Sequence, residues 1–259
     1  MDLILKLQAY FRHTAQQQYE AVPVPPFTLF FNPNTDLKYL NYAIPDIACS
    51  GDLTTVLAEL RQQFKAHRRL PRFEFIEAFA PDLPPTLRQA GFIEEYRGPL
   101  MICTPTSYRP VPEIPRVTMI TLDGNSPAHE IRDFTMVQRR GFNPAEVPVV
   151  TDVEIEDWRR GLGEGRAFLA YLDGQAASAG QYTPPFAGLV ELVGIATLEP
   201  FRRKGLAAAL TAQAVQTAFA AGVELACLSA GDEAASRVYQ RAGFYQAAVM
   251  LAYSDADTV

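Results

Sequence analysis

The chain is poor in the residues that metal, disulfide and membrane chemistry need. Its 259 residues include three cysteines, three histidines and one tryptophan. Cys49, Cys103 and Cys227 are too widely spaced for a metal-ligand motif and make an odd set for disulfides. A reducing, cytoplasmic compartment and no bound metal are therefore the expectation. His13, His67 and His129 stand in no partner pattern and read as surface residues. No apolar run approaches the roughly 20 residues that span a bilayer, so no membrane role is expected. The first residues, MDLILKLQAYFRHTAQQQYE, carry an early acid and scattered charges, unlike a signal peptide. Cations are outnumbered, 23 Lys and Arg against 29 Asp and Glu, for a formal net charge of -6. That balance argues against a broad nucleic-acid surface but leaves room for a local basic cluster that binds a small anion. With 48% hydrophobic residues the chain is expected to fold, as one large domain or two smaller ones.

Proline is plentiful, and four prolines fall in TPTSYRPVPEIPR, 104–116. Proline removes backbone donors and biases its predecessor toward extended geometry, so this stretch reads as a stiff linker. A repeat flanks it. Ala90-Gly91-Phe92 and Ala242-Gly243-Phe244 lie 152 residues apart. The same offset, with small slips, sets RFEFIEAF (72–79) opposite ELACLSAG (224–231), and LKYLNYAIP (37–45) opposite LVELVGIAT (189–197). The shared order strand–helix–strand–helix–strand implies two diverged copies of one α/β unit.

Hydrophobic spacing gives a coarse element map. The first half reads as a helix over 2–20 ended by Pro23, Pro25 and Pro26, and a hairpin of FTLFFN and KYLNYAI. A helix over 52–66 with Asp52 as its N-cap, strand 72–79, helix 82–90 and strand 92–103 follow. The second half reads as strand 117–122, helices 127–140 and 152–161, and a hairpin about Asp173-Gly174-Gln175. Then come strand 189–197, helix 205–221, strand 223–229, helix 232–241 and strand 244–253. The expected fold class is α/β (α+β). Each half is a mixed, mostly antiparallel twisted sheet with helices on both faces.

The most informative stretch is Thr197-LEPF-Arg202-Arg203-Lys204-Gly205-Leu206-Ala207. A strand ends, three bases and a glycine follow, and a helix begins. A helix N-terminus leaves backbone N–H groups unpaired and partially positive. A diphosphate can accept those bonds, and a glycine lets it approach closely.

Arg202-x-x-Gly205-x-Ala207 resembles the acetyl-CoA loop, Q/R-x-x-G-x-G/A, of the GNAT (Gcn5-related) N-acetyltransferases. Downstream, Ala235-SRV-Tyr239-QRA-Gly243-Phe244 is similar to that family's A-x-x-x-Y-x-x-x-G-F helix. The resemblance covers 117–253 well and, through the repeat, 28–103 in outline. It implies two GNAT-like domains, 1–103 as a degenerate copy and 117–259 as the acetyltransferase, joined by the linker 104–116. It further implies acetyl-CoA as cosubstrate. N–H groups from Arg203, Lys204, Gly205, Leu206, Ala207 and Ala208 would cradle the diphosphate beside Arg202. Ile195, Ala196 and Thr197 would pair with the pantetheine arm, and an N–H near Ile195 or Ala196 would polarise the acetyl carbonyl. Tyr239 would protonate the leaving thiolate, Ser236 would reach the CoA arm, and Asp232 would cap the helix. Glu191 stands at the spacing of the glutamate base in the histone-acetylating branch, with Glu164 and Glu154 as fallbacks. Trp158, Phe142, Tyr182 and Phe186 fall in elements that line the acceptor cleft in relatives, though such residues more often pack.

At the offset of 152, Arg202, Gly205 and Ala207 map onto Ser50, Leu53 and Thr55, Lys204 onto Asp52, and Tyr239 onto Leu87. The first half is thus expected to keep the scaffold without the chemistry. The leading expectation is an N-acetyltransferase that moves acetyl to a primary amine by direct attack in a ternary complex. Cys227 reads as a core thiol, against a ping-pong route. A non-catalytic acyl-CoA sensor and a protein-interaction scaffold are the alternatives. A monomer or homodimer is expected, with the acceptor undefined.

Overall fold

The computed structural model describes residues 2–256, so the last three residues of the expected second domain lie outside the described residues. The elements run α1 (Leu3–Gln18), β1 (Glu20–Val24), β2 (Phe27–Phe31), β3 (Asn41–Pro45), α2 (Thr54–Ala66), β4 (Arg72–Ile76), α3 (Leu83–Gln89) and β5 (Phe92–Cys103). They continue β6 (Val117–Leu122), α4 (Ala128–Phe142), α5 (Asp152–Leu162), β7 (Arg166–Leu172), β8 (Gln175–Tyr182), β9 (Leu189–Thr197), α6 (Leu206–Ala220), β10 (Leu225–Ser229), α7 (Glu233–Arg241) and β11 (Tyr245–Asp255). The result is a mixed α/β fold with helices flanking sheet. None of the described helices is long and apolar enough to cross a membrane.

The chain forms two compact units, but not in chain order. One unit is residues 2–100 with 246–256, and the other is 101–245. The sequence reading divides the chain at a linker and leaves the last strand with the second half. In the structure β11 lies in the first unit, antiparallel to β4, with Leu251 opposite Phe75 and Tyr253 opposite Phe73. Reciprocally, Met101 and Cys103 at the end of β5 pack in the core of the second unit. Residues 104–116 belong to the second unit and pack on it. Tyr108 meets Phe219 edge-on at 6.2 Å, and the Arg109 N–H donates to the Ala242 carbonyl at 3.1 Å.

In the first unit the strand order is β1-β2-β3-β4-β11-β5. The pairs β1–β2, β2–β3 and β4–β11 are antiparallel, and β3–β4 is parallel. Leu57, Leu60 and Phe64 of α2, with Leu83 and Leu87 of α3, pack on one face of this sheet, against Leu251 and Tyr253 of β11. The Asp255 carboxylate, 3% exposed, takes the Arg61 Nε at 2.5 Å, and Arg61 also donates to the Ala90 carbonyl at 2.6 Å. Removing one partner of a mostly buried pair leaves an uncompensated charge. Arg61 is about one-third exposed, so solvent offsets part of the loss. Asp255→Asn is therefore expected to cost about 2 kcal/mol in urea unfolding of the full chain.

In the second unit the order is β10-β9-β8-β7-β6, with β9–β10 parallel and the other pairs antiparallel. Helix α6 is apolar nearly all round, as a buried helix must be, and packs Leu210, Val215 and Ala218 on one face. Phe134 and Val137 of α4, with Leu162 of α5, cover the other.

Several element boundaries of the two halves correspond. At the offset of 152, the starts of α6 and α2 coincide, as do the ends of β9 and β3, of α7 and α3, and of β11 and β5. The paired Ala-Gly-Phe segments do the same work twice. Gly91 (φ 88°) and Gly243 (φ 98°) turn left-handed just past the last residues of α3 and α7, and Phe92 and Phe244 then enter the cores. A Cβ at Gly243 would also lie 2.1 Å from the Ser107 carbonyl oxygen.

Candidate active site

The second unit holds an opening between its two parallel strands. β9 and β10 pair only at Leu189↔Leu225, Val190↔Ala226 and Glu191↔Cys227. Beyond Glu191, β9 runs on to Thr197 with no partner on β10. Its pairing with β8 steps from Gln181↔Val193 to Ala179↔Ala196, so Gly194 and Ile195 form a bulge. A single 3-10 turn, Glu199–Phe201, then leads to the basic loop.

That loop ends in Gly205 at φ 86°, with Arg203 also left-handed at φ 63°. Among the turn and cap bonds of α6, the Ala209 N–H donates to the Gly205 carbonyl. The N–H groups of Leu206, Ala207 and Ala208 therefore have no acceptor within the helix. A pocket of about 360 Å³ opens over them, lined by Thr197, Phe201, Arg202, Arg203, Gly205, Leu206, Ala207, Ala208, Val238 and Arg241. Glycine at the helix start, free N–H groups and basic residues make a fit for a diphosphate.

Residues 129–244 match the model of the acetyltransferase (GNAT) family. The fold is that of the GNAT acetyltransferases. A GCN5-related N-acetyltransferase from Kribbella flavida superposes with a TM-score of 0.82 at 24% identity, over 99% of this chain and 96% of that one. A second, from Sphaerobacter thermophilus, gives 0.67 at 17% identity, over 89% and 76%. A tandem GNAT protein of the clavulanic acid biosynthesis pathway gives 0.65 at 14% identity, over 88% and 77%. No curated protein matches. The match places a GNAT-like segment in the second unit, and the neighbours share the fold of that family. The matched span stops at Phe244, where the second unit gives way to β11.

The residues expected to hold a GNAT cosubstrate are distributed as follows. Thr197, Arg202, Arg203 and Gly205 to Ala208 share the one pocket. Lys204 stands beside it, its ammonium 5.5 Å from the Phe201 ring centre. Ile195 lies in the bulge, next to Ala196. Arg202 is exposed but tethered: its Nε donates to the Thr197 carbonyl and its terminal nitrogen to the Gly141 carbonyl, both at 3.1 Å. Val238, Arg241 and Phe201 were not singled out by sequence. Val238 and Arg241 could have been, since they flank Tyr239 on the same helix.

On α7, the Asp232 side chain caps the helix by accepting the Ala235 N–H at 2.7 Å. Ser236 is buried and its hydroxyl donates back to the Asp232 carbonyl at 3.1 Å. Its single proton is thus used, and it meets a ligand only as an acceptor. Tyr239 is half-buried, with its ring 6.2 Å from that of Phe244.

Glu191 sits at the last position of β9 that pairs with β10, its backbone tied to Thr183. Its register partner Cys227 is fully buried, and burial first, then the Glu191 charge, push that thiol well above its usual range. Cys227 is thus a neutral core thiol. Of the fallback acids, Glu154 is committed elsewhere. It forms the capping box of α5 with Thr151, and its hydrogen bond from Arg139 leads in holding it down to about 2. A carboxylate so stabilised is a poor proton acceptor at neutral pH. Glu164 is exposed just after α5. Trp158 packs edge-on against Phe134, and Tyr182 is buried against Phe168, so both are packing residues; Phe142 is exposed. No group of three or more His, Cys, Asp or Glu side chains among the described residues could hold a metal ion.

The counterpart cleft in the first unit is lined by Gly51, Asp52, Leu53, Thr54, Leu57, Arg61, Thr86, Gln89 and Ala90. Asp52 is not the N-cap residue, which is Leu53, yet its carboxylate accepts the Thr54 N–H at 2.9 Å. A negative charge thus already sits at this helix start. The strands differ too. β3 meets β4 at Ala43↔Phe73. The offset counterparts of those residues, Ile195 and Leu225, do not pair in the second unit.

Proposed function

We propose that this protein is an acetyl-CoA-dependent N-acetyltransferase whose chemistry resides in the second unit. The observation that carries this reading is the continuous path from the parted strands β9 and β10 to the open start of α6. The parted edge of β9 supplies backbone groups for the two amides of pantetheine. Residues Arg203 to Ala208 supply N–H groups for the diphosphate, with Arg202 bracing the loop and Arg203, Lys204 and Arg241 adding positive charge.

The acceptor is a primary amine, which attacks acetyl-CoA directly within a ternary complex. The amine nitrogen bonds to the thioester carbon, the carbon–sulfur bond breaks, and the thiolate leaves. Glu191, directly or through water, takes the proton that the amine gives up. The N–H of Ile195 or Ala196 stabilises the developing oxyanion. Tyr239 donates to the departing sulfur. The buried neutral Cys227 supports direct transfer over an acyl-cysteine route.

The first unit is a GNAT-like copy without this chemistry, giving a tandem arrangement. Support comes from Leu53 and Asp52 where the motif has Gly205 and Lys204, from Leu87 at the place of Tyr239, and from the Ala43↔Phe73 pairing where the slot would be.

Tyr239→Phe tests the site. Loss of one proton donor to a fair leaving group is expected to lower kcat about 10- to 100-fold with KM for acetyl-CoA within about twofold. Steady-state thiol release by wild type and variant measures this, and an unchanged kcat would leave Tyr239 as a packing residue.

A further inference from the structure

We propose that Gln138 is a positioning residue for the peptide that binds the acyl carbonyl, and that the last turn of α4 ties this peptide to the diphosphate loop. The proposal rests on the acetyl-CoA reading above. The Gln138 side-chain amide donates from α4 to the Gly194 carbonyl at 2.9 Å. Gly194 lies in the bulge of β9 at φ 64°, and a Cβ there would come within 2.3 Å of the same Nε2. The amide therefore rests directly on a backbone that only glycine can provide.

Strand carbonyls ordinarily point sideways toward a neighbouring strand. At Gly194 the carbonyl instead meets a donor from a helix that covers the face of the sheet. In a planar trans peptide the C=O and the N–H point in opposite directions. Holding the Gly194 oxygen toward α4 thus turns the Ile195 N–H away from α4. The Ile195 side chain follows to the other face, where Gly180 leaves room for it beside Leu210. Ile195 is one of the two residues, with Ala196, whose N–H is proposed above for the acyl carbonyl, and it is the one whose peptide Gln138 holds.

Two more contacts fix the same turn. A Cβ at Gly141 would lie 2.6 Å from the Ala196 Cβ, so α4 touches β9 one step further along at backbone distance. The Gly141 carbonyl is in the last turn of α4, where helical acceptors run out, and Arg202 donates to it at 3.1 Å. A cation at a helix C-terminus is favourable there. Arg202 also holds the Thr197 carbonyl, so the first residue of the diphosphate loop is braced against both α4 and β9.

The test compares CoA with acetyl-CoA by calorimetric titration of the full chain. CoA lacks the acyl carbonyl and reports the pantetheine and diphosphate contacts alone. Gln138→Ala is expected to weaken acetyl-CoA about fivefold and CoA less than about twofold. Gln138→Glu sets a carboxylate against the Gly194 carbonyl at neutral pH. Its acetyl-CoA affinity should recover toward wild type as pH falls through the carboxyl range, because a protonated carboxyl can donate. Equal losses for the two ligands, or none for either, would overturn the positioning role. Wild-type chain that binds neither ligand would overturn the acetyl-CoA reading itself, and the Gln138 proposal with it.

Discussion

Gly205→Glu is expected to weaken acetyl-CoA binding at least about 100-fold, which corresponds to about 2.7 kcal/mol. Two effects act together. A side chain enters the concavity over the first turn of α6, and its carboxylate opposes a diphosphate that the N–H groups of that turn would otherwise receive. Glutamate at φ 86° is also strained by about 1–2 kcal/mol, so the variant loses some stability. A second variant separates the two effects. Ala207 is in the first turn of α6 and lines the same pocket. An acid at that position favours the helix, by about 0.3–1 kcal/mol, while it repels the diphosphate. Ala207→Glu should therefore hold or raise the melting temperature and still weaken acetyl-CoA strongly. Tight acetyl-CoA binding by either folded variant would contradict the loop assignment.

Ending the chain at Tyr245 is expected to unfold the first unit. It removes β11, and with it Leu251 and Tyr253, both fully buried in the core that α2 and α3 cover. Burial of two such side chains contributes about 3–6 kcal/mol, comparable to the whole stability of a small unit. Arg61 also loses Asp255, and Glu94 loses the Tyr253 hydroxyl that donates to it at 2.5 Å. Hydrogen exchange followed by peptide mass spectrometry should show α2 and β4 unprotected in the truncated chain and protected in the full one. Protection that survives truncation would show that β11 is dispensable to that unit.

The local structure of the candidate site was more legible in the sequence than the division of the chain. Arg202, Gly205 and Ala207 are local: their spacing alone places a glycine and a base at the start of a helix. The paired Ala-Gly-Phe segments are local as well, because a left-handed glycine after a helix and a phenylalanine entering the core need no distant partner. The exchange of β11 for the end of β5 was not legible. Both strands read as apolar runs, and alternation says which face is buried but never which strand lies alongside. β1 was missed because Pro23 reads as a breaker. It is tolerated because β1 is an edge strand, where one side needs no donor. The fallback base Glu154 could have been set aside from sequence, since Thr151 three residues before it makes the capping-box pattern. Gln138 carries no such signal: a polar residue on an amphipathic helix is ordinary until a bulged carbonyl is found beneath it.

The most direct test of the account is thiol release from acetyl-CoA across a panel of primary amines, followed over both substrate concentrations. The account predicts amine-dependent release with intersecting initial-velocity lines, as a ternary complex requires, and loss of that release in Gly205→Glu. Saturable acetyl-CoA binding with no release by any amine would contradict it and favour an acyl-CoA sensor. Parallel lines would contradict direct transfer.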